Sequence, residues 1–236
     1  MINNHAKVPQ KNDFFVSFLV TVVLPVIILM KLSGDEQLGA WPAFALALSL
    51  PIIYFLINLV KQGGVHWLAL CGFINVLLTG GLGALQLEGI WFAAKEAAIP
   101  LIIGVVILVL RYKTTLIQQL FLHSTLFNVE LITQSIASRN CHQAFAKLVS
   151  QVSYVLASSF FVSSVLNFIL AYMILQSPVG TSEFNQELAY MQLLSYPVIV
   201  LPSLLIATIS IFWLIRGITH LTGYKFQDLL AENSKD

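Results

Sequence analysis

Two adjacent ionisable residues, Lys95 and Glu96, stand in an apolar run that holds no other charge between residues 90 and 110. A charge at the centre of a helix in hydrocarbon costs about 2.5–3.5 kcal/mol, and less near its edge. At ~1.5 Å per residue the pair lies roughly 8 Å inside the boundary. One reading makes the two residues charged elements of a polar cavity for an ion, a proton or a solute. In the other, Lys95 snorkels to the headgroups, in the direction of Glu88, and Glu96 pairs with a neighbouring helix. Adjacent helical residues point about 100° apart and cannot share a face. We expect Glu96 to face inward, toward residues 79–83, and Lys95 to face outward.

Thr79, Gly80, Gly81 and Gly83 precede the pair by a short turn at Glu88-Gly89. Glycines at such density permit either close helix packing or an unwound segment whose backbone could bind a ligand. With Lys95 and Glu96 they form the candidate polar site inside the membrane. A second constellation is Ser159, Ser163, Asn167 and Ala171, each four residues from the next. Small and polar side chains on one face bury against another helix in lipid, or line a solute pathway.

Other chemistries find little footing. His5, His66, His123, His142 and His220 show no metal-ligand spacing, and the glycine run lacks the lysine of a phosphate-binding loop. Cys71 falls in an apolar stretch and Cys141 in a polar one, so no disulfide is expected. No catalytic residue, metal or cofactor is assigned. A net charge of +1 without a basic run argues against a nucleic-acid partner.

The elements that must position these residues follow from composition. Of 236 residues, 58% are hydrophobic and 10% charged. A water-facing surface needs about 25% charged residues, so the solvent this chain suits is a bilayer. Six stretches approach the ~20 apolar residues of a membrane span: 14–30, 38–60, 67–85, 90–110, 151–175 and 193–215. The expected fold is an all-α, polytopic membrane bundle of about six transmembrane helices, a single membrane domain over residues 1–236. The first stretch follows Lys7 and Lys11 like a signal peptide. It is longer than a usual signal core and lacks a small-residue cleavage site, so it is read as retained.

Loop charges set the orientation. With the N-terminus inside, cytoplasmic segments carry Lys7, Lys11, Lys61, Arg111, Lys113, Arg139, Lys147, Arg216, Lys225 and Lys235, whereas outer loops carry only Lys31. The outer loops instead hold Asp35, Glu36, Glu88, Glu183 and Glu187. In the long cytoplasmic loop 111–150, Leu122, Leu126, Val129, Ile132 and Ile136 recur at helical spacing. This predicts an amphipathic helix lying on the membrane surface or packed on the bundle ends. Phe145, Leu148, Val149 and Val152 are in register to extend the fifth span. Interior prolines at 25, 51, 100, 197 and 202 each remove a backbone hydrogen bond and favour kinks.

Three segments carry a family resemblance: Leu24-Pro25-Val26-Ile27-Ile28-Leu29-Met30-Lys31, Leu77-Leu78-Thr79-Gly80-Gly81-Leu82-Gly83, and Lys95-Glu96-Ala97-Ala98-Ile99-Pro100. They resemble a group of bacterial inner-membrane proteins similar to the intracellular septation protein A family, some of which bear transporter labels. The likeness spans most of residues 12–220, leaving out 176–192 and the tail after Arg216. It implies a multi-pass inner-membrane location and a non-enzymatic part in envelope maintenance or division, with lipid, membrane proteins or further copies of the chain as partners. The alternative is a small-solute or ion transporter using Lys95, Glu96 and Gly80 to Gly83.

The charge bias has a direct test. Reporter fusions after Lys113 and after Asp236 are expected to report cytoplasm, and fusions near Glu183 periplasm. A periplasmic C-terminus would make the number of spans odd.

Overall fold

The computed structural model describes residues 11–62, 67–111 and 127–230. Among them all regular elements are helical, apart from an isolated antiparallel bridge between Phe127 and Leu230. α1 (Lys11–Phe18) passes through a π-helical turn at Leu19–Val23 into α2 (Leu24–Lys31). α3 (Ala40–Gln62), α4 (Trp67–Ala84) and α5 (Gly89–Leu110) follow. After them come α6 (Val129–Ser138), α7 (His142–Ile174) and α8 (Ser182–Ser195). A second π turn, Tyr196–Val200, joins α8 to α9 (Leu201–Thr222).

Among the described residues, four helices are long and apolar enough to cross a membrane: Ala40–Val60, Gly89–Leu110, His142–Ile174 and the continuous run Ser182–Thr222. Two apolar helices, Phe15–Lys31 and Phe73–Ala84, are shorter. Ile102, Val109, Leu205 and Phe212 stay exposed on these helices. Large apolar side chains along a whole helix face suit hydrocarbon, where such surface costs nothing.

Four of the interior prolines sort into two kinds, and Pro197 lies inside the second π turn itself. Pro51 and Pro100 sit within continuous helices. Pro25 and Pro202 each come just after a π turn. A proline ring collides with the carbonyl four residues back. For Pro25 and Pro202 that carbonyl belongs to Thr21 and Val198, both inside the π turns. The wider π turn shifts that carbonyl away from the ring. Phe18, the last residue of α1, packs edge-on against Tyr196 at 6.1 Å between ring centres.

The chain packs as two compact units. The first comprises Met1–Lys95 and Phe168–Tyr196. Here α2 packs on α3 and α8, and α3 on α4. Its buried centre is aromatic: Phe92 and Phe184 stand edge to face at 5.2 Å and Phe44 lies 6.5 Å from Phe184, while the exposed Trp41 lies 6.2 Å from Phe44. The turn between α4 and α5 is tight, with Gln86 at φ +51° and the Leu87 amide donating to the Leu82 carbonyl. Gly89 then starts α5 with its α-carbon pressed on the backbone carbonyl of Leu175, where a methyl group would collide.

The second unit comprises Glu96–Asn167 and Pro197–Asp236. Its core joins Ile107, Ile132, Ile136, Phe145, Leu148, Val149, Val152, Leu214 and Ile218. Asn128 caps α6, its side-chain oxygen accepting from the Leu131 amide at 3.0 Å. The amphipathic helix therefore exists, and its apolar residues Ile132 and Ile136 are buried by protein against α9 and the turn Phe226–Leu229. With that face covered by protein, the packed arrangement replaces the surface-lying one. Leu122 and Leu126 lie outside the described residues. The register of Phe145, Leu148, Val149 and Val152 holds, and α7 starts at His142 rather than near residue 151. The continuous helical run that holds the sixth stretch likewise begins at Ser182, the start of α8, not near 193.

Gly89→Ala is expected to lower stability in detergent by about 1–3 kcal/mol, because the added methyl meets backbone. Gly81→Ala, which opens onto free space, should leave the melting temperature unchanged or raise it. Equal melting of the two variants would mean that the Gly89–Leu175 approach is not close.

Candidate functional site

The Lys95 side chain is held between α4 and α5. The residue is 7% exposed, and its ammonium donates to Thr79 Oγ1 at 2.7 Å. The Thr79 hydroxyl in turn donates to the Asn75 carbonyl at 2.9 Å. The hydroxyl thus accepts from a cation and donates to a backbone dipole, and each bond polarises the other. Hydrogen bonds to charged groups contribute about 1.5–3 kcal/mol. The arrangement corrects the expected direction of Lys95. Lys95 faces inward, and Glu96, next along the helix, is only half-buried. Snorkelling relieves a cation that has no acceptor at its own depth; the Thr79 hydroxyl supplies one.

The glycines act in packing. α4 is helical through Ala84, so the segment is not unwound. A methyl on Gly83 would lie 2.7 Å from the Phe44 ring, and one on Gly80 would lie 3.3 Å from the Leu48 side chain. Both neighbours belong to α3. Gly80 and Gly83, three apart, therefore let α3 approach α4, whereas Gly81 faces open space. Of the six candidate residues, the structure brings together Thr79 and Lys95, and gives Gly80 and Gly83 a different neighbour.

The stripe on α7 divides similarly. Ser159 and Ala171 are buried. Ser159 donates to the Leu156 carbonyl on its own helix. Asn167 turns back to Ser163, donating to its carbonyl at 2.8 Å and its hydroxyl at 3.3 Å. The bond to another helix comes from the next residue, Ser164, whose hydroxyl donates to the Ala97 carbonyl of α5 at 2.8 Å. Ser164 lies midway between Ala157 and Ala171, seven residues from each, and all three are buried.

A polar cluster that sequence reasoning missed lies at the start of α8. Asn185, 1% exposed, donates both amide hydrogens: to Ser33 Oγ at 2.9 Å and to the Ala40 carbonyl at 2.7 Å. One side chain thereby ties α8 to the residues following α2 and to the first residue of α3. Two residues on, Glu187 accepts from the Gln176 and Ser177 amides at 3.0 and 2.9 Å and from the Ser177 hydroxyl at 2.7 Å. That carboxylate closes the connection between α7 and α8. Asn185 is flanked by the buried Phe184 and, three residues on, Leu188, a helical spacing that was available in the sequence as a signal.

Cys141 is a free thiol. Among the described residues, no group of three or more His, Cys, Asp or Glu is placed to hold a metal ion. Among the described residues the chain is thus all-helical, with four helices fit to cross a membrane and buried polar groups that link helix to helix. Compared with protein-family models, with curated proteins and with solved structures, it matches none.

Thr79→Val removes the acceptor facing the Lys95 ammonium and is expected to cost about 1–3 kcal/mol, read as a lower melting temperature in detergent. Thr79→Ser should melt like the parent, since it keeps the hydroxyl. Asn185→Leu should destabilise by a similar ~1–3 kcal/mol through the stranded Ala40 carbonyl. Parent-like melting of Thr79→Val would remove the hydrogen bond from any structural role.

Proposed function

We propose that this chain is a six-span protein of the bacterial inner membrane, with both termini in the cytoplasm. It acts without catalysis in envelope maintenance or cell division, through contacts with lipid and with membrane proteins or further copies of itself. The two shorter apolar helices fit as spans. Phe15–Lys31 and α4 have 17 and 18 residues, a length of roughly 26 Å at ~1.5 Å per residue against a hydrocarbon layer of about 30 Å. The bias of lysine and arginine toward one set of loops supports the orientation. The resemblance to septation-protein-A-like chains supplies the process.

The observation that carries the non-enzymatic reading is the use made of buried polar groups. Lys95, Ser164 and Asn185 each bond a neighbouring helix or helix end, and Gly80 and Gly83 admit α3. These are the devices by which helices associate in lipid, where apolar burial gives no driving force.

A second reading, a small-solute or ion transporter working through Lys95, Glu96 and residues 80–83, draws on two observations. A cation is buried within an apolar helix pair, and the side-chain oxygen of Asn75, one turn from Thr79, is buried without a hydrogen-bond partner. Intramembrane charges commonly serve transport.

Complementation separates the two. Cells lacking the chain are expected to show altered division or raised envelope permeability, restored equally by the parent and by Lys95→Met at matched protein levels. If Lys95→Met fails to restore them while melting like the parent, the assignment passes to transport.

A further inference from the structure

α7 and α9 face each other across a groove of about 620 Å³. Each helix lines it with one stripe. From α7 come Lys147 and Leu148, and from α9 come Trp213, Arg216, Gly217 and His220. Spacings of three and four put the α9 residues on a single face. Gly217 makes the groove possible, because a methyl there would collide with the Leu148 side chain.

Its chemistry is two-sided. Leu148, Trp213 and Leu221 give an apolar lining, while Lys147, Arg216 and His220 are exposed at its polar parts. No carboxylate is among the lining residues, and the sequence has no acidic residue between Glu130 and Glu183 or between Glu187 and Asp228. Neither helix, therefore, carries an acid to neutralise these cations. The cations also stand at the ends of apolar runs: Arg216 follows 15 uncharged residues of α9, Leu201 to Ile215, and α7 has no charge after Lys147. Phosphate groups of a bilayer lie at that boundary.

We propose that this groove binds an acidic phospholipid. Its phosphate sits between Lys147 and Arg216, with His220 beside it, and the start of an acyl chain lies on Leu148 and Trp213. Guanidinium groups take phosphate oxygens in pairs, and basic pockets between transmembrane helices are suited to anionic headgroups. A zwitterionic lipid brings its own cation to the same place and is disfavoured. The site goes beyond the proposed function, since it would serve a division protein and a transporter alike. It requires only that α7 and α9 cross the bilayer.

Native mass spectrometry of the whole protein in detergent tests the site, with phosphatidylglycerol, phosphatidylcholine and glycerol phosphate as probes. The parent is expected to retain phosphatidylglycerol well above phosphatidylcholine and to ignore glycerol phosphate. The double variant Lys147→Gln with Arg216→Gln should lose retention on the order of tenfold with unchanged melting, while Lys225→Gln, an exposed basic residue outside the groove, should behave like the parent. Trp213→Ala, which keeps all three cations, should weaken retention of the lipid. Equal retention of the two lipids, full retention by the double variant, or a comparable loss in Lys225→Gln overturns the site. Glycerol phosphate binding as tightly as phosphatidylglycerol would overturn the lipid assignment in favour of a soluble phosphate ester.

Discussion

In hydrocarbon, a side chain gains nothing by moving from lipid to protein merely because it is apolar, and every buried polar atom must find its partner within the protein. A chain with helices long and apolar enough to cross a membrane fits this constraint, although the Asn75 side-chain oxygen is buried without a hydrogen-bond partner. Its helices leave long apolar faces uncovered, and what holds them together is close approach and hydrogen bonding. Gly80 and Gly83 admit the side chains of α3, and Gly89 admits the carbonyl of Leu175. Asn185 spends both amide hydrogens on groups outside its own helix. An amide in lipid is costly when left open, so the contact has to form for α8 to be buried as it is.

The same constraint explains how prolines are tolerated. A membrane helix that lost backbone hydrogen bonds at each proline would expose carbonyls to lipid. At Pro25 and Pro202 the preceding π turns move the conflicting carbonyl and keep the backbone helical on both sides. Pro51 and Pro100 lie within unbroken α-helices.

All six apolar stretches proved helical, because length and composition alone decide that property. The ends of helices were less visible. Residues 182–192 contain Glu183, Asn185, Gln186 and Glu187 and read as a polar loop, yet Phe184, Leu188 and Met191 give them a buried face, and Thr181 caps their first turn. Of the stripe on α7, Ser159 and Ala171 are buried, while Asn167 bonds back to Ser163 on its own helix. A spacing of four advances about 40° beyond a full turn at each step, so Ser159 and Ala171 diverge by roughly 120°. A spacing of seven drifts only about 20°, and Ala157, Ser164 and Ala171, spaced by seven, are all buried. The direction of Lys95 was not legible either. It depends on a hydroxyl sixteen residues away in the chain, which only the turn at residues 85–88 brings beside it.

Hydroxyls in this protein fall into two groups with different structural content. Thr21, Ser49, Ser153, Ser158 and Ser159 donate to carbonyls three or four residues back in their own helices. Such bonds satisfy the hydroxyl wherever the helix lies, so they say nothing about which helix is its neighbour. Ser164, and Thr79 as the acceptor for Lys95, differ, because sliding one helix along the other by a single residue would move the partners about 1.5 Å apart and rotate them by about 100°. Register is therefore set by a few crossing bonds, while the exposed apolar residues between them are free to vary in shape as long as they remain apolar. By this reasoning, the polar residues that specify this fold include Lys95 with Thr79, Ser164, Asn185 and Ser210, whose hydroxyl donates to the Val152 carbonyl of α7, and the basic side chains lining the groove between α7 and α9 are not needed to hold it together.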